Sequence, residues 1–234
     1  MNYRRDFIKT SLFLSPAIFC PKLIFSKPAQ QKKVLLLGDS ISIGYTPFVQ
    51  DMMKHLALVS RPMLPDGSAE NCEGTTNGVQ NIRRWIGDTK WDLIHFNFGL
   101  HDLKHVDPVT GENSSNPADP LQADLKEYKN NLKQIVEELK RTGADLIFAT
   151  TTPYPDTVNN PLRDPGMSEK YNRVAVKIMN RNNIDINDLY TFAKPRLQEI
   201  QLPNNVHFTE EGYRALGRKV IDRITEHLEY PQYR

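Results

Sequence analysis

Residues able to do chemistry lie in four short segments. The first is Gly38-Asp39-Ser40, which follows the apolar run Val34-Leu35-Leu36-Leu37. Four apolar residues are too few for a helix and read as a buried strand. The tripeptide then sits at a strand's carboxyl end, where ligands bind in open α/β sheets. A serine presented on that turn, beside the amides that open the next helix, has the setting of a nucleophile. Gly-Asp-Ser is also ordinary turn chemistry, so the tripeptide alone decides nothing. The other segments are Thr75-Thr76-Asn77-Gly78, Asn97-Phe98-Gly99-Leu100-His101-Asp102 and Asn204-Asn205-Val206-His207-Phe208-Thr209. Each falls at the predicted end of a strand or start of a helix.

In block order and spacing, the chain from Gly38 to Tyr213 resembles the SGNH, or GDSL, hydrolase family. Gly38-Asp39-Ser40 matches the first block and Gly78 the glycine of the second. Gly99-Leu100-His101-Asp102 stands for the third, usually Gly-x-Asn-Asp. Asn204-Asn205-Val206-His207 stands for the last, usually Asp-x-x-His. The resemblance implies that Ser40 attacks an ester carbonyl while His207 takes its proton and returns it to the leaving alcohol. It also implies an oxyanion hole made by the Ser40 and Gly78 amides and the side chain of His101. A neutral imidazole keeps one N–H donor, so histidine can replace the usual asparagine. Asn204 stands where the acid that orients the histidine is expected. The expectation is therefore a Ser40–His207 dyad with Asn204 in the third catalytic position. Asn205, Asp102, another nearby carboxylate or a main-chain carbonyl are the alternatives for orienting His207.

Other reactive residues read as structural. Asp39 suits a turn-stabilising role and Ser42 lies behind Ser40. His95 alternates with apolar residues inside a strand, and His55, His105 and His227 read as surface residues. His101 and His105 have the i, i+4 spacing of a metal pair, but on a loop rather than a helix, so no metal and no cofactor are expected. Cys72 reads as a packing residue, and Trp85 and Trp91 as core. Tyr154 and Arg163, in an irregular segment, are candidates for substrate contact.

Strands and helices must alternate to hold these segments. Strands are predicted at Val34–Leu37, Leu58–Arg61, Trp91–Phe98, Asp145–Thr150 and Ile184–Ile186. Helical periodicity covers Pro47–Leu56, Gly78–Trp85, a segment capped by Asp119 with Pro120 first, Tyr171–Met179 and Tyr213–Leu228. Residues 103–119 and 151–166 are irregular and long enough to be functional. The alternation predicts a parallel sheet covered on both faces. The resemblance implies a three-layer α/β/α sandwich with a mostly parallel, five-stranded, flavodoxin-like sheet.

The chain of 234 residues opens on Tyr3-Arg4-Arg5-Asp6-Phe7-Ile8-Lys9 and an apolar segment, Leu12 to Phe19. This resembles a twin-arginine export signal, so residues 1–29 read as a signal peptide and 30–234 as one domain. Export to the periplasm, or secretion, is the expectation. Without Arg4, Arg5, Lys9, Lys22, Lys27 and Asp6 the formal charge changes from +2 to −2. Nothing then points to nucleic acid or to stable membrane insertion of the mature chain. One cysteine remains, too few for an internal disulfide. The expected activity is serine ester hydrolysis, with O-acetylated oligo- or polysaccharide as substrate. A lipase, lysophospholipase or thioesterase is the alternative within enzymes, and a glycan-binding protein with impaired catalysis the alternative outside them. The sequence leaves the oligomeric state open.

Overall fold

The computed structural model describes residues 31–229, which belong to one compact unit, Gln31–Arg234. The twin-arginine segment lies outside the described residues. Five strands form one sheet: β1 (Lys32–Leu37), β2 (Ala57–Ser60), β3 (Leu93–Phe96), β4 (Asp145–Ala149) and β5 (Asp185–Asn187). Every pairing is parallel, and the order is β2-β1-β3-β4-β5. That is the flavodoxin-like order, with its switch point between β1 and β3. Central strands buried on both faces are almost wholly apolar, and Val34–Leu37 and Leu93–Phe96 are fully covered. His95 belongs to that run. Its Nε2 lies 3.2 Å from the Asn187 amide nitrogen, and burial pushes its pKa down to about 3.

The helices are α1 (Ser40–Met53), α2 (Thr75–Ile86), α3 (Leu125–Arg141), α4 (Met167–Arg181), the short α5 (Leu189–Ala193) and α6 (Leu197–Ile200), and α7 (Glu210–Glu229). α1 packs on α7, while α2 packs on α3 and α3 on α4, giving the two outer layers. α1 crosses α7 closely. A Cβ at Gly44 would lie 2.2 Å from the Tyr213 ring, so the ring lies against the α1 backbone where only glycine leaves room.

All five predicted helices start elsewhere than the sequence reading has them; α2 and α7 begin three residues earlier, at Thr75 and Glu210. α1 begins at Ser40 rather than Pro47, because buried Asp39 caps it, accepting from the Ile41 N–H at 2.9 Å. α4 begins four residues before Tyr171, at Met167. α3 begins at Leu125, capped by Asp124, whose carboxylate accepts from the Lys126 and Glu127 amides. Asp119 instead ties the preceding loop, its carboxylate accepting from Ser114 and Asn116. Pro120 and Leu121 lie outside the helix, with Leu121 bridged to His105.

Candidate active site

Ser40 is the first residue of α1, where the backbone N–H has no intrahelical acceptor. Arg61, buried beneath the turn, holds it in place. One guanidinium nitrogen donates to Thr46 Oγ1 at 3.0 Å and Ser42 Oγ at 3.4 Å; the other donates to the Glu70 and Gly38 carbonyls at 2.9 and 3.3 Å. His207 reaches Ser40 from a loop just before α7. That loop is pinned by the Leu202 N–H to the His207 carbonyl and the Thr209 N–H to the Ile200 carbonyl, each 2.9 Å. The His207 Nε2 to Ser40 Oγ distance is 2.9 Å.

Asn205 Oδ1 lies 3.0 Å from the His207 backbone nitrogen and 2.8 Å from its Nδ1. A backbone N–H can only donate, so the amide atom facing it is the oxygen. That oxygen can only accept, so His207 Nδ1 carries the ring proton. Nε2 is therefore the nitrogen with the free lone pair, and it faces the serine hydroxyl. A hydroxyl bonded to such a nitrogen loses its proton to the ring as the oxygen attacks.

The structure corrects two expectations, those for Asn204 and Gly78, and gives Asp102 a structural role. Asn204 makes no hydrogen bond to His207, though both line the cleft: it occupies the left-handed region at φ 51° and accepts from Thr157 Oγ1 at 2.6 Å. Asparagine tolerates that conformation, and the turn it makes precedes Asn205, which meets the ring edge at Nδ1. Asp102 makes no hydrogen bond to His207 either, accepting from the Thr75 N–H at 2.8 Å and from the Thr75 hydroxyl. Gly78 is no oxyanion donor. It lies inside α2, its N–H donates to the Gly74 carbonyl at 3.0 Å, and a Cβ there would meet Ile135 at 2.6 Å. It is a packing glycine between α2 and α3. Beside Ser40 the cleft is lined instead by Asn71 and His101.

Asn71 is held by a turn, its Oδ1 accepting from the Glu73 N–H at 2.9 Å, and by the neighbouring Cys72 N–H, which donates to the Gly38 carbonyl at 3.2 Å. Sequence reasoning passed over Asn71, Lys104 and Arg61. The available signals were an amide residue in a Glu-Asn-Cys-Glu-Gly turn after β2, and single cations in otherwise polar loops. Arg163 lines the cleft; Tyr154 does not, its hydroxyl donating to the Asp164 carbonyl at 2.7 Å.

The model of the GDSL-like lipase/acylhydrolase family matches residues 36–215. The chain belongs to that family. It is accordingly an ester-bond hydrolase. Among solved structures, a lipase/acylhydrolase from Enterococcus faecalis is 18% identical, covers 84% of this chain and 97% of its own, and superposes with a TM-score of 0.67. An acetyl xylan esterase is 15% identical over 82% of this chain and 99% of its own, with a TM-score of 0.65. An acetylxylan esterase from Geobacillus stearothermophilus is 17% identical over 82% and 94%, with a TM-score of 0.63. At these identities the likeness is one of fold. A search of curated proteins finds no match.

In this GDSL-like hydrolase the cleft at Ser40 encloses about 390 Å³. Burial, and then the positive charge of Arg163, hold the His207 pKa below its ordinary value. Burial pushes His101 down to about 3, so it is neutral with one ring N–H, and its Nδ1 has no partner. Burial raises Asp102 to about 6 despite the Thr75 hydrogen bonds. Cys72 is buried and pushed up to about 12, a packing thiol. Among the described residues no three metal-ligating side chains converge, and no helix is long and apolar enough to cross a membrane.

Proposed function

We propose that this protein hydrolyses O-acetyl esters of carbohydrate through an acyl-enzyme on Ser40. The observation that carries the reading is the Ser40 Oγ–His207 Nε2 contact of 2.9 Å, with Nδ1 held as donor by Asn205. His207 takes the hydroxyl proton as Oγ attacks the acyl carbon, then delivers it to the departing sugar oxygen. Water repeats the sequence to release acetate. The Ser40 N–H and the neutral His101 ring donate to the oxyanion, and the amide of Asn71 replaces Gly78 as the third donor.

The character of the cleft supports a short acyl group and a polar alcohol. Its apolar lining is limited to Leu100, Val158, Pro161 and Val206, and the rest is polar or charged. No extended apolar groove for a lipid chain lines it. Two similar folds also carry acetylxylan esterase names. The test is acetate release from a panel of acetylated polysaccharides and from 4-nitrophenyl acetate, by wild type and Ser40→Ala. Loss of turnover by at least about 10³-fold in the variant is expected. Equal rates would reject Ser40 as nucleophile, and turnover of long-chain esters alone would reject the carbohydrate acetate.

A further inference from the structure

Arg163 is only 5% exposed, yet no carboxylate pairs with it among the described residues. Its Nε donates to the Leu100 carbonyl at 3.1 Å and Nη1 to the Pro161 carbonyl at 3.3 Å. Two of five N–H donors are thereby used. Nη2 has no hydrogen-bond partner among the described residues, and it is not among the fully enclosed unpartnered atoms, so it remains accessible where Arg163 lines the cleft. Lys104 lines the same cleft, bridged to Arg163 through the backbone, with its ammonium on the neutral amide oxygen of Asn113 at 2.7 Å.

The cleft thus holds two cations and no Asp or Glu in its lining. Asp39 lies behind the Ser40 turn as a helix cap, Asp102 is bound to Thr75, and Glu73 is exposed outside the lining. The charges sense one another: the Lys104 pKa is lowered by burial and then by Arg163, and Arg163 also lowers both His101 and His207. Arg163 therefore acts within reach of the reaction centre. Buried Asp39 acts on Arg163, and Glu73 and Asp102 on Lys104, but only across a distance, with no ion-pair contact among the described residues. A buried guanidinium with no carboxylate in contact, beside a second cation, is costly unless an anion completes it. Its planar fork matches a carboxylate.

We propose that the cleft takes an ester whose alcohol part carries a carboxylate, held by Arg163 and Lys104, as in an O-acetylated sugar acid. This rests on the Ser40 esterase reading and narrows its substrate.

The test compares per-O-acetylated methyl glucuronoside as the free acid and as its primary amide, which match in shape and differ in charge. 4-Nitrophenyl acetate is the third substrate. Acetate release is followed for wild type, Arg163→Gln, Lys104→Gln and Ser40→Ala. Wild type is expected to favour the acid over the amide by about tenfold or more in kcat/KM. Arg163→Gln should bring that ratio close to one and Lys104→Gln should lower it. Equal use of acid and amide by wild type overturns the proposal. So does turnover of neither while 4-nitrophenyl acetate remains a Ser40-dependent substrate. An equal loss on both substrates in Arg163→Gln, with the ratio kept, also overturns it by making Arg163 a general electrostatic aid. If Arg163→Gln does not fold, the wild-type and Lys104→Gln ratios decide. Hydrolysis that survives Ser40→Ala unchanged, on any of the three, rejects the esterase reading itself.

Discussion

The amide oxygen of Asn205 accepts from two donors of one residue, the His207 backbone and ring. That fixes the tautomer without a carboxylate. Asn205→Ala should lower kcat by about 10–100-fold, since it frees the ring to rotate and exchange its proton. Asn204→Gly, which keeps the left-handed turn, should cost only about threefold. Steady-state kinetics on 4-nitrophenyl acetate separate the two, and the reverse ranking would restore Asn204 to the catalytic position. The general base must be neutral to work, and the His207 pKa is lowered by burial and Arg163. The acid limb of kcat/KM should therefore lie below the ordinary histidine value of 6.5. Asn205→Asp places a negative charge against Nδ1, favours the imidazolium and should move that limb to higher pH. A shift to lower pH would contradict this arrangement. Spacing alone could not choose between Asn204 and Asn205, because the choice depends on a positive φ at 204 that only the folded turn displays.

Among the elements, α1 and α7 set the distance between the reacting atoms. Ser40 opens α1, and His207 lies three residues before α7. The spacing between the helices is set where Gly44 rests on the Tyr213 ring. Gly44→Ala should overpack this crossing and cost about 1–3 kcal/mol, or roughly 2–12 °C in Tm. It should also lower kcat by separating Ser40 from His207, with partial recovery in Gly44→Ala/Tyr213→Leu. Thermal melts and kinetics of the single and double variants check this; a Gly44→Ala protein of unchanged Tm would refute it. The strands were legible because buried parallel strands are continuous apolar runs, as at Val34–Leu37 and Leu146–Ala149. Helix starts were less so. Asp119 and Asp124 both have the side chain of a cap, and the loop network around Ser114 and His105 selects between them. Gly78 misled for a related reason: a glycine at the right spacing serves close packing as well as close approach to a ligand, and the Ile135 and Phe98 contacts are tertiary.

For the molecule as a whole, the cleft forms at the switch point of the sheet, beyond the carboxyl ends of β1 and β3. The order of the blocks made that placement readable, whereas the charge of the cleft was not, because Lys104 and Arg163 come from separate loops. We also propose export of the chain by its twin-arginine segment. Arg4→Lys with Arg5→Lys should retain the protein in the cytoplasm, measured by cell fractionation; unchanged periplasmic recovery would count against it. The Ser40–His207 pair is borne by the turn after β1 and the 200–209 loop. Lys104 and Arg163 belong to a different wall, in which residues 103–119 and 151–166 are joined by the His105 N–H to the Leu162 carbonyl at 2.9 Å and the Leu162 N–H to the Ser114 carbonyl at 2.8 Å. That wall is tied to the His207 loop as well: Thr157 donates to Asn204 at 2.6 Å and the Gln201 amide to the Pro153 carbonyl at 3.0 Å. Changing which ester is accepted therefore constrains the turn that carries the general base, and the two parts of the site must vary together.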